Sequence, residues 1–179
     1  MKISKQTFNE FLEKDVIHND RIIKFCLKQN SLTDAIKIAV LSRDVYNKKH
    51  QHQYRIENFQ LQMFLEKISS LEDKIQDINK FDELLNLIVK EKIIGIGPLA
   101  LYDIALRIGY YIKIKPELIY LHAGAKTGAN NFFGRKIKNN YLTKEEFVSK
   151  VDDFKNFSCE EIEAFLCIHC NKKNNNRRC

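Results

Sequence analysis

The distribution of glycine and proline constrains the fold of this 179-residue chain more than any other feature of its sequence. All six glycines and both prolines lie between residues 95 and 134. Over residues 1–94, apolar side chains recur at helical i, i+3, i+4 spacing, as at Phe8, Phe11 and Leu12. Because helix-breaking residues are missing there, this half predicts helices joined by short polar turns. Alternating strand patterns are absent apart from a short stretch at 110–115, so the sequence predicts an all-α fold.

Several residues mark the expected helix ends. Among the Ser and Thr residues that stand three positions before an acidic residue, the spacing of an N-terminal capping box, those expected to begin a helix are Ser31, Thr143 and Ser158. Gly109 is expected to end the helix that begins at Pro98, since glycine accepts the left-handed conformation. Pro116 is expected to begin a further helix over about residues 117–130.

The composition predicts one domain. With 44% hydrophobic residues, the chain can bury one sizeable core. We expect a single-domain helical bundle over residues 1–170, built around a central hairpin at about residues 85–109. The polar, basic segment 171–179 is expected to be disordered.

The central hairpin is the most specific motif, and its sequence is Ile93-Ile94-Gly95-Ile96-Gly97-Pro98. A Gly-x-Gly step can reverse the chain within a few residues, and proline suits the first position of the next helix. The N-terminus of that helix would be a site for an anion. Over about 20 residues the pattern resembles the helix-hairpin-helix motif, although Leu101 replaces an alanine that is common there.

The resemblance implies a ligand for the hairpin. In helix-hairpin-helix proteins the hairpin amides bind a nucleic-acid phosphate, so the expected contacts here are the amides of Ile96, Gly97 and Leu99, within the turn that begins at Gly95. Some members also hold a monovalent cation on hairpin carbonyls, and the resemblance implies the same possibility here. No other cofactor is expected.

The charge distribution favours the same kind of partner. The formal net charge is +7, and Lys and Arg outnumber Asp and Glu by two over residues 1–90 and by five over residues 91–179. Between residues 107 and 138 the one acidic residue is Glu117. The basic residues expected to contact phosphates are Arg107, Lys113, Lys126, Arg135 and Lys136. The sequence therefore predicts binding of nucleic acid, DNA in the first instance, largely independent of base sequence.

Two glycines in the predicted helix 117–130 indicate that another part of the structure approaches this helix closely. Gly124 and Gly128 each cost about 1 kcal/mol in a helix, so another backbone is expected to pack on them. The sequence favours packing against the hairpin, and the alternative is the approach of a sugar-phosphate backbone beside Lys126.

A degenerate DNA glycosylase is an alternative function. Glycosylases of the helix-hairpin-helix superfamily carry a catalytic aspartate about twenty residues beyond the second glycine, where this chain has Glu117. The lysine of the bifunctional members is replaced by Leu99, which argues against a Schiff-base lyase. His122 is the second candidate catalytic residue, as a general base. No complete catalytic group emerges, so the sequence leaves enzyme activity open.

The cysteines suggest a candidate metal site and a cellular compartment. The spacing of four cysteines resembles the iron–sulfur loop of some glycosylases, and these are Cys159, Cys167, Cys170 and Cys179. The first two flank an amphipathic helix, which favours core thiols instead. Five cysteines without a secretion signal predict a cytoplasmic protein, and no apolar run is long enough to predict a membrane partner.

A wider resemblance links three segments to a group of small uncharacterised bacterial proteins. These segments are residues 95–109, 120–124 and 161–167, and the resemblance implies a compact domain but no activity. A protein-interaction module with a purely structural hairpin therefore stays open as a third reading. His50 and His52 are expected in a solvated turn, and Asp103 is expected to pair with Arg107 at i, i+4.

Overall fold

The computed structural model describes Phe11 and residues 20–168. These residues are mostly helical, which confirms the predicted helical class. The chain forms two compact units. Residues 20–115 form the first, called the hairpin unit, and Phe11 with residues 116–168 forms the described part of the second, called the ribbon unit. The single domain stays a prediction, and the tail 171–179 lies outside the described residues.

The hairpin unit is a helical assembly with one 3₁₀ turn at residues 51–53. Its helices are α1 (Arg21–Cys26), α2 (Leu32–Leu41), α3 (Asn58–Ser69), α4 (Glu72–Gln76), α5 (Phe81–Lys90) and α6 (Pro98–Tyr111). Helix α2 packs against α3 and α6, and α5 packs against α6. The core between them is apolar and includes Ile22, Ile36, Phe64, Leu84 and Ile104.

Side chains cap the first two helices of this unit. Asp20 Oδ1 accepts hydrogen bonds from the backbone N–H groups of Ile22 and Ile23, at 2.7 and 3.0 Å. Ser31 Oγ accepts one from Asp34 N at 3.1 Å, as the sequence predicts. These contacts satisfy N–H groups that have no partner inside the helix.

Helix α6 ends later than the sequence predicts. Gly109 lies inside the helix, and Lys113 takes the left-handed position with φ 65°. Ile114 N donates to Gly109 O at 2.8 Å, which closes the helix end. The expectation that Gly109 is the capping residue was wrong. The glycine is needed for space, because a Cβ atom there would lie 2.8 Å from Ile114 O.

The ribbon unit combines helices with a small antiparallel sheet. Its elements are β1 (Leu118–Tyr120), α7 (Ala123–Phe133), β2 (Tyr141–Thr143), α8 (Lys144–Val148), a 3₁₀ turn at residues 152–154 and α9 (Cys159–Ile168). In the sheet, Ile119 pairs with Leu142. The helix predicted over 117–130 therefore begins late, at Ala123, because residues 118–120 form a strand with a partner distant in sequence. The caps at Thr143 and Ser158 are confirmed.

The core of the ribbon unit consists of packed aromatic rings and one close helix contact. Phe154 lies 4.7 Å from Phe165 and 5.3 Å from Phe147 between ring centroids. Phe11 packs edge-on against Phe165 at 5.2 Å. Gly128 lies against the backbone of Leu166 in α9, so the close packing at this glycine involves α9 and not the hairpin.

None of the helices in the described part of the chain has the length and apolar composition needed to cross a bilayer.

Candidate functional site

Residues 91–97 connect α5 to α6 and form an exposed turn. Gly95 has φ 95°, a conformation that other residues rarely adopt, and Ile96 turns inward and is buried. Gln60 of α3 supports the turn by donating from Nε2 to Ile94 O at 3.0 Å. The side chain of Ile94 points into solvent and is 93% exposed. The hydrogen bond from Gln60 thus fixes the turn on one side, and its other side is open to solvent.

The backbone amides of the turn are not equivalent. Ile96 N donates to Ile93 O at 3.3 Å, so this amide is already used within the turn. Among the described residues, Gly97 N and Leu99 N donate to no protein acceptor. Gly97 is extended with φ −84°, and apart from its two chain neighbours no described residue has a heavy atom within 4 Å of where its Cβ would stand. The carbonyls of Ile93 and Ile94, candidate ligands for a monovalent cation, already accept hydrogen bonds.

Arg107 does not belong to a phosphate-binding surface. Its side chain is buried, with only 2% of the residue exposed. Its guanidinium donates to Ser42 Oγ at 2.7 Å, Ala39 O at 3.3 Å and Gln53 Oε1 at 3.5 Å. The sequence-based assignment of Arg107 to nucleic-acid contact is therefore corrected. Lys113, in contrast, is exposed beyond the end of α6.

The remaining predicted basic residues lie in the ribbon unit. Lys126 Nζ donates to the carbonyls of Lys138 and Asn139 and to Asn140 Oδ1, so it fixes the segment before β2. Arg135 and Lys136 are exposed on that segment. They line, with Lys138 and Glu146 among others, an open cleft of about 340 Å³. Three of the residues that line this cleft are basic, and Lys126 is not among them but holds the segment that forms part of its wall.

The candidate catalytic residues and two of the candidate cysteines are also in this unit. Glu117 is exposed, and its backbone carbonyl accepts from Cys159 Sγ at 3.3 Å. His122 precedes α7 as its N-cap residue and stacks on Tyr120, with 6.3 Å between ring centroids. Burial raises the pKa of the Cys159 thiol to about 11, so this thiol stays protonated near neutral pH. Cys167 is half-buried, and Cys170 and Cys179 lie outside the described residues.

A second group of polar side chains converges inside the hairpin unit, where the sequence predicts a solvated turn. Asp103, in the middle of α6, accepts two hydrogen bonds on Oδ2, from His52 Nδ1 at 2.9 Å and from Gln53 Nε2 at 2.8 Å. His50 Nδ1 lies 3.1 Å from Gln53 Oε1, and the rings of His50 and His52 are 4.8 Å apart. The expectation of a solvated turn was wrong, because the 3₁₀ turn at 51–53 packs on α6.

Charge and burial shift the pKa values of His50 and Asp103. Burial and the positive charge of Arg107 lower the pKa of His50, against the attraction of Asp103 and Asp20. Burial alone would raise the pKa of Asp103, but the His52 hydrogen bond and the Arg107 charge outweigh it, and the pKa lies below its usual value. Asp103 is therefore ionised near neutral pH. Arg107 acts on Asp103 through its charge and through Gln53.

The sequence contained a signal for this group. A single aspartate in an otherwise apolar helix face, as at Asp103, requires partners when that face is buried. The partners come from a turn fifty residues earlier, and sequence spacing does not reveal such a distance.

Comparisons with protein-family models, with curated proteins and with solved structures each returned no match for this chain.

Proposed function

We propose that the protein binds the phosphate backbone of nucleic acid, DNA in the first instance, through the turn between α5 and α6. The observation that carries the proposal is the open space at Gly97, beside the N–H groups of Gly97 and Leu99 that have no acceptor among the described residues. These groups lie at the start of a 14-residue helix, whose dipole also favours an anion. A phosphate oxygen accepts hydrogen bonds from both amides in this proposal.

Exposed cations supply the electrostatic part of the proposed binding. Lys113 in the hairpin unit and Arg135 and Lys136 in the ribbon unit are exposed, and the net charge of the chain is +7. Contacts to phosphate oxygens do not depend on base identity, so the proposed binding has little sequence preference. We also propose that the protein is located in the cytoplasm.

The test uses graded substitutions at Gly97. Fluorescence anisotropy would follow binding of a labelled DNA duplex, its single strand and an RNA strand at low salt. Gly97→Ala and then Gly97→Val place growing side chains in the open space, so affinity is expected to fall stepwise, by about 10-fold or more for valine. Circular dichroism would check that both variants fold.

The control is Ala123→Val, which adds two methyl groups at the exposed first residue of α7, the same increase as from Gly97→Ala to Gly97→Val. Its affinity for nucleic acid should equal that of the wild type. No binding by the wild-type protein at low salt, or equal binding by the wild type and Gly97→Val, would reject the proposal and leave the hairpin a purely structural role.

A further inference from the structure

Two histidines and a carboxylate lie close together in the hairpin unit. A ring nitrogen of His50, a ring nitrogen of His52 and a carboxylate oxygen of Asp103 all lie within 4.8 Å of one another. Around a tetrahedral ion with bonds of about 2.0–2.1 Å, ligand atoms are about 3.4 Å apart. Modest side-chain rotations therefore bring the three atoms to bonding distance.

The surroundings of these atoms suit an ion. The side chains of His50 and His52 are each 23% exposed and that of Asp103 is 13% exposed, so an ion can enter and is then shielded from water. Asp20 Oδ2 is 3.8 Å from His50 Nε2, while Asp20 Oδ1 is occupied by the cap of α1. A second carboxylate oxygen is thus within reach of the site.

The backbone holds two of the three ligands in place. His50 and His52 flank the start of the 3₁₀ turn, and Gln53 joins that turn to Asp103 and to the buried Arg107. The guanidinium charge opposes a cation, and the carboxylates of Asp103 and Asp20 offset it. Outer residues that orient ligands in this way are usual at metal centres.

We propose that His50, His52 and Asp103 bind a divalent transition-metal ion of the zinc type. Two imidazoles and a carboxylate suit Zn²⁺ and its first-row neighbours, whereas Ca²⁺ and Mg²⁺ favour oxygen ligands alone. Three protein ligands leave one tetrahedral position for water or for Asp20. None of the three ligands belongs to the turn at Gly97. The metal-binding proposal can therefore be tested independently of nucleic-acid binding.

The test is titration of untagged, metal-free full-length protein with Zn²⁺, by isothermal calorimetry, and with Co²⁺, by visible absorption. The wild type is expected to bind one equivalent, and its unfolding temperature should rise with Zn²⁺ concentration. His50→Ala and His52→Ala should each weaken binding by about 100-fold, since loss of an outer-shell partner alone costs about 10–100-fold.

Two controls separate this site from others. His122→Ala removes a histidine of the ribbon unit and should leave binding unchanged. The double variant Cys167→Ser, Cys170→Ser removes two of the four cysteine candidates and should also bind as the wild type. Absence of stoichiometric binding, unchanged binding in the histidine variants, or loss of the ion in the cysteine variant overturns the proposal.

A further variant and a direct measurement guard against misfolding. His52→Asn retains an N–H group near the position of Nδ1 and so can keep the hydrogen bond to Asp103, while it lacks the imidazole. We expect it to fold and to lose the ion. In the wild type, the NMR signals of the His50 and His52 rings should shift on addition of Zn²⁺ while that of His122 does not, and unshifted His50 and His52 signals would refute the site.

Discussion

At the scale of single residues, Gly128 shows how closely α7 and α9 approach. A Cβ atom at this position would lie 2.0 Å from Leu166 O, and backbone atoms cannot move aside cheaply. Although alanine favours a helix by about 1 kcal/mol over glycine, overpacking should dominate. We expect Gly128→Ala to lower the free energy of unfolding by about 2–3 kcal/mol, measured by urea denaturation.

Gly97→Ala is the control for this prediction, because no described residue other than its two chain neighbours comes within 4 Å of the added methyl group and the backbone φ is ordinary. Its free energy of unfolding should stay within about 0.5 kcal/mol of the wild type. Equal stability of the two variants would show that α7 and α9 are not in contact at Gly128.

Cys26 gives the fold a pH dependence in the alkaline range. Burial raises the pKa of its thiol from 9.0 to about 12, although the charge of Arg107 acts in the opposite direction. Above pH 9 the unfolded chain releases this proton and the folded chain keeps it, so stability is full below pH 9 and falls as the pH rises towards 12. Between pH 8 and pH 10 the loss should be about 1 kcal/mol.

The comparison that isolates this thiol is urea denaturation of the wild type and of Cys26→Ala at both pH values. The variant should lose less stability than the wild type over this interval, because its unfolded chain has one thiol fewer to ionise. Identical pH dependence in the two proteins would contradict the raised pKa of Cys26.

At the scale of elements, Arg107 joins α6 to the end of α2 and to the 3₁₀ turn. Its guanidinium satisfies Ala39 O, Ser42 Oγ and Gln53 Oε1. Arg107→Met should lower the free energy of unfolding by about 3 kcal/mol, because it leaves buried acceptors without donors. Thermal and urea unfolding would measure this loss.

The control for Arg107→Met is Lys113→Met, which removes a positive charge from an exposed residue just beyond α6. It should change the stability by less than about 0.5 kcal/mol. If the Arg107→Met variant is as stable as the wild type and binds nucleic acid less tightly, Arg107 is an exposed nucleic-acid contact and not a buried donor.

Local elements of this fold could be predicted from the sequence, and those that depend on distant partners could not. The caps at Ser31, Thr143 and Ser158 rest on contacts within three residues, so their spacing was sufficient. Strand β1 exists because it pairs with β2 more than twenty residues later. Periodicity within residues 117–130 contains no information about that partner.

The same distinction applies to the candidate sites. The turn at Gly95–Pro98 was visible because glycine and proline act locally, and the exposed turn between α5 and α6 lies where it was predicted. The contact of His52 and Gln53 with Asp103 spans about fifty residues and requires the packing of the 3₁₀ turn on α6. Arg107 was assigned to the surface because a basic residue is usually exposed, and three buried acceptors reverse that expectation.

At the scale of the whole molecule, the net charge of +7 and the exposed cations determine how the proposed binding responds to salt. Each phosphate neutralised by a lysine or arginine releases counterions, so the logarithm of the affinity falls linearly with the logarithm of the salt concentration. For the three exposed cations proposed as contacts, raising the salt from 50 to 200 mM should weaken duplex binding by about 40-fold. Anisotropy titrations at several salt concentrations would measure this slope.

Single substitutions show which cations contribute to that slope. Lys113→Gln and Lys136→Gln should each reduce it by about 1, because each removes one phosphate contact. Lys74→Gln, an equal change of charge at an exposed residue of α4, should leave it unchanged. If all three variants reduce the slope equally, the binding follows the net charge alone, and the specific contacts proposed for Lys113 and Lys136 are wrong.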